Sequence, residues 1–422
     1  MRNRSFLDRG KRREAATRFF ATIRFSSKGV VESLLGISLL WLFGCSVRTP
    51  SSGALESAPR KVPEVTATVI GAKQVVFDTR NSCEQVDIPD APARAFRDDR
   101  GATHLIASHW VARAEVGPDL DHLQRDCHVI YRSPKDPDPA HFQDNNWLFS
   151  FYTEDGRRIA ALVHSEFDGE EIPGMCATPK DTNNCWWNTV TFAQSLDSGH
   201  NFVVPRPPQN LVAALPYPYV MGNLASAYGY HGPTNILKNG SSYYALINDW
   251  PYKAQKFGAC LIRTSDVFDP RSWRAWNGND FTIRFADPYR EQITKPEQYV
   301  CSPVLAGTAE SLVRHSPTGI FLVTQYAPDG PFGPAGFYVQ GSRDLVNWSH
   351  PTLILRVEDL RASDGPGQWT YEYGSLIDPF SDDRNYSNIG GTPYLYYVRM
   401  DGAHPPYSRI LFRRQVELRL GN

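Results

Sequence analysis

Several acidic side chains and one imidazole stand where a chain rich in short apolar runs could turn them to chemistry. The run Ala160-Ala161-Leu162-Val163-His164-Ser165-Glu166-Phe167-Asp168-Gly169 is apolar until its His and carboxylates. In a strand, residues two apart share a side, so His164 and Glu166 face the same way. A carboxyl set in an apolar wall beside other charge is moved toward neutrality, where it can exchange protons at ordinary pH. Asp87 and Asp90 lie in Asp87-Ile88-Pro89-Asp90-Ala91-Pro92-Ala93-Arg94, just before another short run. Glu310 falls in Ala306-Gly307-Thr308-Ala309-Glu310-Ser311-Leu312, and Tyr371-Glu372 begin a run that ends in Asp378. One carboxylic acid and one carboxylate brought together make an acid and base pair. Each group also has a plainer reading, as a turn cap beside proline or as a solvated strand residue.

The elements that must position them read as β. The 422 residues are 41% hydrophobic and 12% aromatic, with 31 Gly, 32 Pro and only 4 Met, a balance that favours short strands and many turns. Strand, polar turn and strand recur five times. AFRDDRGATHLIASHW leads to CHVIYRSP, NNWLFSFYTEDGRRIAALVHSEF to NTVTFAQSLDSGHNF, and TNILKNGSSYYALIND to GACLIRTSDVFDPRSWRAW. SLVRHSPTGIFLVTQYA leads to GFYVQGSRDLVNWS, and SLIDPFSDD with TPYLYYVRM to SRILFRRQVEL. Repeats of roughly 50 to 70 residues predict a propeller rather than a sandwich, so the fold expected is all-β, a five-bladed β-propeller over residues 75–422. In such a ring the inner strand of each blade lines the channel. The starts of those strands then supply the candidates: Asp90, Glu166 and Glu310 as catalytic carboxylates, with Asp87, Arg94, His164, His231, Asn235, Tyr371, Glu372 and Asp378 to bind substrate.

Three turns carry a resemblance. Ser195-Leu196-Asp197-Ser198-Gly199-His200-Asn201-Phe202 matches the Asp-box pattern, and Ser342-Arg343-Asp344-Leu345-Val346-Asn347-Trp348 and Thr264-Ser265-Asp266 with Trp273 are variants of it. On these residues the chain resembles the five-bladed propellers of glycoside hydrolase family 43 and its relatives, and more distantly the sialidases. The resemblance implies an Asp at the mouth of the first inner strand as general base, a role open to Asp90 or Asp87, and a general-acid Glu where Glu310 stands. Family members usually follow that Glu with Gly or Ala and then Pro, which Ser311-Leu312 does not match. Tyr371-Glu372 is similar to the sialidase nucleophile pair, but no Phe/Tyr-Arg-Ile-Pro motif accompanies it. Acetal hydrolysis needs an acid for the leaving oxygen, a carboxylate for water or carbon, and aromatics for the sugar face. The function expected is therefore that of an exported carbohydrate-active enzyme acting on a poly- or oligosaccharide. The alternatives are a non-catalytic glycan-binding propeller that stacks sugars on Trp186, Trp187 and Trp250, and a structural lipoprotein of the envelope.

The amino end reads as an address. Basic residues from Arg2 to Lys28 precede the apolar run Ser33 to Gly44, shorter than the roughly 20 residues that span a bilayer and suited to a signal-peptide core over residues 1–44. Leu42-Phe43-Gly44-Cys45 resembles a bacterial lipobox, which makes Cys45 the lipidated residue, residues 45–74 a flexible tether, and the bacterial cell envelope the location, membrane-anchored or secreted. Residues 1–44 hold nine basic and three acidic groups, so removing them takes the net charge from −1 to −7 and makes nucleic acid an unsuited partner. Outside the cytoplasm thiols oxidise, and Cys83, Cys127, Cys176, Cys185, Cys260 and Cys301 admit 15 pairings, of which sequential neighbours are the simplest. No cofactor is expected. The cysteine and histidine spacings spell no zinc site, and a structural calcium ion stays open.

Overall fold

The computed structural model describes residues 62–176, 185–221, 227–328, 330–401 and 408–421; the apolar run and Cys45 lie outside these. The fold is all-β, and a single α-helix, Val357–Asp364, occurs among the described residues. Each recurrence read from the sequence forms antiparallel strands. Arg94–Arg97, Thr103–Ile106, Glu115–Gly117 and Gln124–Arg125 make a four-stranded sheet. The second and third recurrences merge into one ten-stranded sheet, because Trp186–Ser195 pairs in parallel with Tyr228–His231. The fourth recurrence spans Ser311–His315 to Thr352–Arg356, and the fifth holds Trp369–Ile377, Tyr394–Asp401 and Arg409–Gly421.

The first and last described strands meet in that last sheet. Glu64–Val69 pairs with the final strand over its whole length, from Glu64 opposite Gly421 to Val69 opposite Val416, and Gln74–Asp78 pairs further along it. Residues 62–74, expected to be tether, therefore belong to the folded body; their alternating pattern EVTATV is that of an edge strand. Lys73 reinforces the junction by an ion pair with the buried carboxylate of Asp364, which Arg399 also meets at 3.0 Å.

Apolar side chains lock neighbouring sheets face to face. Phe96 and Ile106 pack with Leu148, Phe151 and Ile159, and Leu162, Val190 and Phe192 with Ile247, Ile262 and Trp273. Leu246 and Leu261 meet Leu312 and Val323, and Leu322, Phe337 and Val339 meet Tyr371, Tyr397 and Phe412. Finally Ala95 and Leu105 of the first sheet meet Tyr396 and Leu411 of the last.

Hairpin turns are held by short polar side chains. In Ser195–Phe202 the Asp197 carboxylate accepts from Asn201 N at 2.9 Å and Ser195 Oγ accepts from Gly199 N at 3.0 Å. Gly199 sits at φ +89°, where a Cβ would lie 2.7 Å from Phe96 Cζ, so glycine is required twice over. Ser342–Trp348 repeats the arrangement, Asp344 accepting from Asn347 N at 2.7 Å. The six body cysteines stand as Cys83–Cys127, Cys176–Cys185 and Cys260–Cys301, with Cα separations of 5.6, 5.4 and 6.0 Å. These are the sequential pairs.

Candidate functional site

Glu310 is set by its neighbours on both sides. Asn248, near the end of strand Ser242–Trp250, accepts from Ala309 N at 2.7 Å and donates to Ala309 O at 2.9 Å and to Gly232 O at 3.1 Å. That clamp presents Glu310 to strand Trp369–Ile377, where the ladder slips: Glu372 faces Val398 and Ser375 faces Tyr396. Two residues, Tyr373 and Gly374, thus stand opposite one, a bulge that frees their N–H groups from the ladder. Both donate to Glu310, Tyr373 N to Oε1 at 3.1 Å and Gly374 N to Oε2. Tyr373 has φ +67°, a conformation costly for an aromatic residue that marks a constrained position. Any side chain at Gly374 would put a Cβ 2.7 Å from Glu310 Oε2.

Burial, and the negative charge of Glu372, push the Glu310 carboxyl up to about 8, against the pull of the two N–H groups and of Arg94. Near neutral pH it carries its proton. Arg94 lies 4% exposed beneath it, giving hydrogen bonds to Ser375 Oγ at 2.7 Å, to Ala93 O at 3.1 Å and to the Glu310 carbonyl.

Tyr373 also links Glu310 to Asp90. Its hydroxyl donates to Asp90 Oδ1 at 2.9 Å, and the Arg409 guanidinium pairs with the same oxygen. The other oxygen, Oδ2, faces Trp147 Nε1 and His109 Nε2, each at 3.3 Å. Trp147, on the first strand of the second recurrence, stands between Asp90 and His164, its ring 5.7 Å from that of His164. His164 and Glu166 do share one side of their strand: Nε2 of His164 donates to Glu166 Oε1 at 2.8 Å, while Nδ1 accepts from Gly232 N at 3.0 Å. Those two partners dictate the Nε2–H tautomer. His231, 6.2 Å from the His164 ring and 4.5 Å from that of Trp250, is driven down to about 3 by burial and by His164, so it stays neutral. Trp186 meets Trp250 edge-on at 6.0 Å.

Asp90, His164, Glu166, His231 and Glu310 are thus joined by one chain of contacts, and the charge of Glu372 acts on Glu310. The other expected ligands are placed elsewhere. Asp87 is fully buried, accepts from Cys83 N at 2.9 Å and is tied to Arg125, so it anchors the loop beside the first disulfide. Tyr371 is buried in the core with its hydroxyl 2.7 Å from Asp364; Glu372, next along the strand, points the other way, which separates the expected pair. Asp378 caps its own turn, accepting from Phe380 N at 2.9 Å and Gly390 N at 2.6 Å. Asn235 Oδ1 accepts from Leu312 N at 2.8 Å and joins two sheets. Trp187 is a core residue, 4% exposed. Sequence reading missed Tyr373, Arg409, His109 and Trp147. Nothing local marks them, since each matters only through a partner at least 19 residues away, although the Tyr373-Gly374 pair within a strand pattern is a signal for a bulge.

No family model and no curated protein matches this sequence. Among solved structures, the chain is similar to the catalytic domain of a family 62 α-L-arabinofuranosidase of Coprinopsis cinerea, with 13% identity, a TM-score of 0.41, and 84% of this chain and 97% of that one covered. It is similar to an α-L-arabinofuranosidase of Podospora anserina, with 11% identity, a TM-score of 0.43 and coverage of 84% and 97%. It is similar also to a family 117 glycoside hydrolase of Zobellia galactanivorans, with 10% identity, a TM-score of 0.48 and coverage of 84% and 90%.

Proposed function

We propose that this protein is an exported glycoside hydrolase built as a closed five-bladed propeller, with Glu310 and Glu166 as its acid and base. Ring closure is supported by the cyclic order of the apolar contacts, first recurrence to second and so on to fifth and back to first, and by the pairing of the first described strand with the last. The observation that carries the chemistry is a connected cluster holding one carboxyl pushed up to about 8, Glu310, and carboxylates held by different partners. Glu310 gives its proton to the glycosidic oxygen as the bond from that oxygen to the anomeric carbon breaks. Water adds to the carbon and passes a proton to a carboxylate. Glu166 suits that step, because His164 occupies only Oε1. Asp90 has both oxygens committed, to Arg409 and Tyr373 on one side and to Trp147 and His109 on the other, and acts as a fixed negative charge. Trp186 and Trp250 offer the aromatic surface for a sugar ring. The three disulfides favour an oxidising compartment, which fits export and an anchor at Cys45.

The test is a panel of oligosaccharides offered to the full protein, followed by Glu310→Gln and Glu166→Gln. Hydrolysis reduced by roughly two to four orders of magnitude in each variant is expected. Binding without turnover in the parent protein, altered only in affinity by the variants, would instead establish the glycan-binding reading.

A further inference from the structure

Asn248 stands where the acid and base sides of the cluster meet. Strand Ser242–Trp250 turns Ala245 and Ile247 into one apolar core and Asn248 to the opposite side, where it is 4% exposed. Its Oδ1 accepts from Ala309 N, while its Nδ2 donates to Ala309 O and to Gly232 O. One N–H and two carbonyls allow a single orientation of that amide, because the reverse would set its oxygen against both carbonyl oxygens. On one side Ala309 immediately precedes Glu310, whose own N–H is tied to Thr324 O at 2.8 Å. On the other side Gly232 N donates to His164 Nδ1 at 3.0 Å, and Nε2 of His164 donates to Glu166 Oε1 at 2.8 Å. Gly232 holds φ +53°, and a Cβ there would lie 3.0 Å from Asn248 Nδ2, so the close approach of this turn to the amide asks for glycine. A single neutral side chain therefore connects the backbone that carries Glu310 to the backbone that orients the imidazole beside Glu166.

We propose that Asn248 is a positioning residue of this site, fixing the Glu310 carboxyl and the His164–Glu166 pair in one relative geometry through Ala309 and Gly232. The inference rests on the reading of Glu310 and Glu166 as acid and base. The hydrogen bonds of Asn248 go to backbone, so its part is to hold the two groups and not to move a proton. The two carboxyls come from different sheets and must meet one glycosidic bond, and a misplacement of about 1 Å costs about 10²-fold in rate. Asn235 supplies the contrast. Its Oδ1 accepts from Leu312 N at 2.8 Å and ties the same two sheets two residues beyond Glu310. If Asn248 served only to join sheets, the two asparagines would behave alike; a positioning role separates them.

The experiment uses the full protein with nitrogen-15 in its histidines. Proton–nitrogen correlations across the imidazole, with His164 assigned by the signal lost in His164→Gln, should show the Nε2–H tautomer in the parent protein. Asn248→Ala releases Gly232 and should leave His164 as a mixture of the two neutral tautomers, whereas Asn235→Ala should leave it as in the parent. On a glycoside that the parent cleaves, Asn248→Ala should lower kcat by about 10- to 100-fold with little change in KM. Asn248→Asp keeps an acceptor for Ala309 N but has at most one hydrogen for two carbonyls, so it should move both readouts in the same direction. That variant decides the matter if Asn248→Ala does not fold. An unchanged His164 tautomer in a folded Asn248 variant, an equal change in Asn235→Ala, or an unchanged kcat overturns the proposal. If the parent cleaves no glycoside, it is the acid and base reading that fails, and the tautomer alone then decides whether Asn248 sets His164.

Discussion

Glu310→Gln separates the electrostatics of this cluster from any knowledge of substrate. The folded protein holds the Glu310 proton until pH about 8, whereas the unfolded chain releases it near 4.5. A carboxyl whose folded value is raised contributes stability that is complete below about 4.5 and is lost as pH climbs to about 8. The full difference amounts to at most about 5 kcal/mol, and because Glu310 is partly reached by solvent, a loss of about 2 to 4 kcal/mol is the working expectation. Glutamine keeps an oxygen for Tyr373 N or Gly374 N and cannot ionise. Denaturant unfolding at fixed pH values from 5 to 9 should therefore find the variant gaining on the parent protein by that amount. Other buried groups, including Glu115, whose burial lifts it to about 7, titrate in both proteins and cancel in the difference. Parallel curves would refute the reasoning: the carboxyl would then be ionised throughout, and no general acid would stand at position 310.

Tyr373→Phe deletes the hydroxyl that reaches Asp90 Oδ1 while Arg409 remains, so unfolding experiments should register a loss of about 1–3 kcal/mol with the fold kept. An unchanged stability would mean that the bridge is not formed. Deleting residues 62–69 bares the edge of Arg409–Gly421 and should abolish a sharp thermal transition and promote association, seen by circular dichroism and gel filtration; a melt like that of the parent would argue against ring closure. Thiol titration in denaturant without reductant should find no body thiol, and two or more would contradict the three bridges. Cys45→Ala should move the protein from the membrane to the soluble fraction, and continued membrane partition would count against the lipid anchor.

Period, turn chemistry and cysteine number are local or additive properties, and they were enough to specify β-structure, the hairpin turns at Ser195–Phe202 and Ser342–Trp348, and an even set of six cysteines, whose simplest pairing of the 15 the structure holds. The two-residue spacing of His164 and Glu166 likewise determined that they share a side, because a strand repeats every second residue. Other features depended on partners far along the chain. EVTATV has the alternation of a strand, but only the final strand, some 350 residues away, turns it from linker into sheet. Asp87, Asp90 and Asp378 look alike as carboxylates beside proline. Their surroundings divide them: Arg125 fixes the first, Arg409 and Tyr373 enclose the second, and a turn's own N–H groups satisfy the third. The bulge at Tyr373-Gly374 is the clearest case, since its freed N–H groups matter only because Asn248 of another sheet sets Glu310 in front of them. Burial and charge from separate segments decide which carboxyl holds a proton at neutral pH, and neither is a property of the residues next to it in sequence.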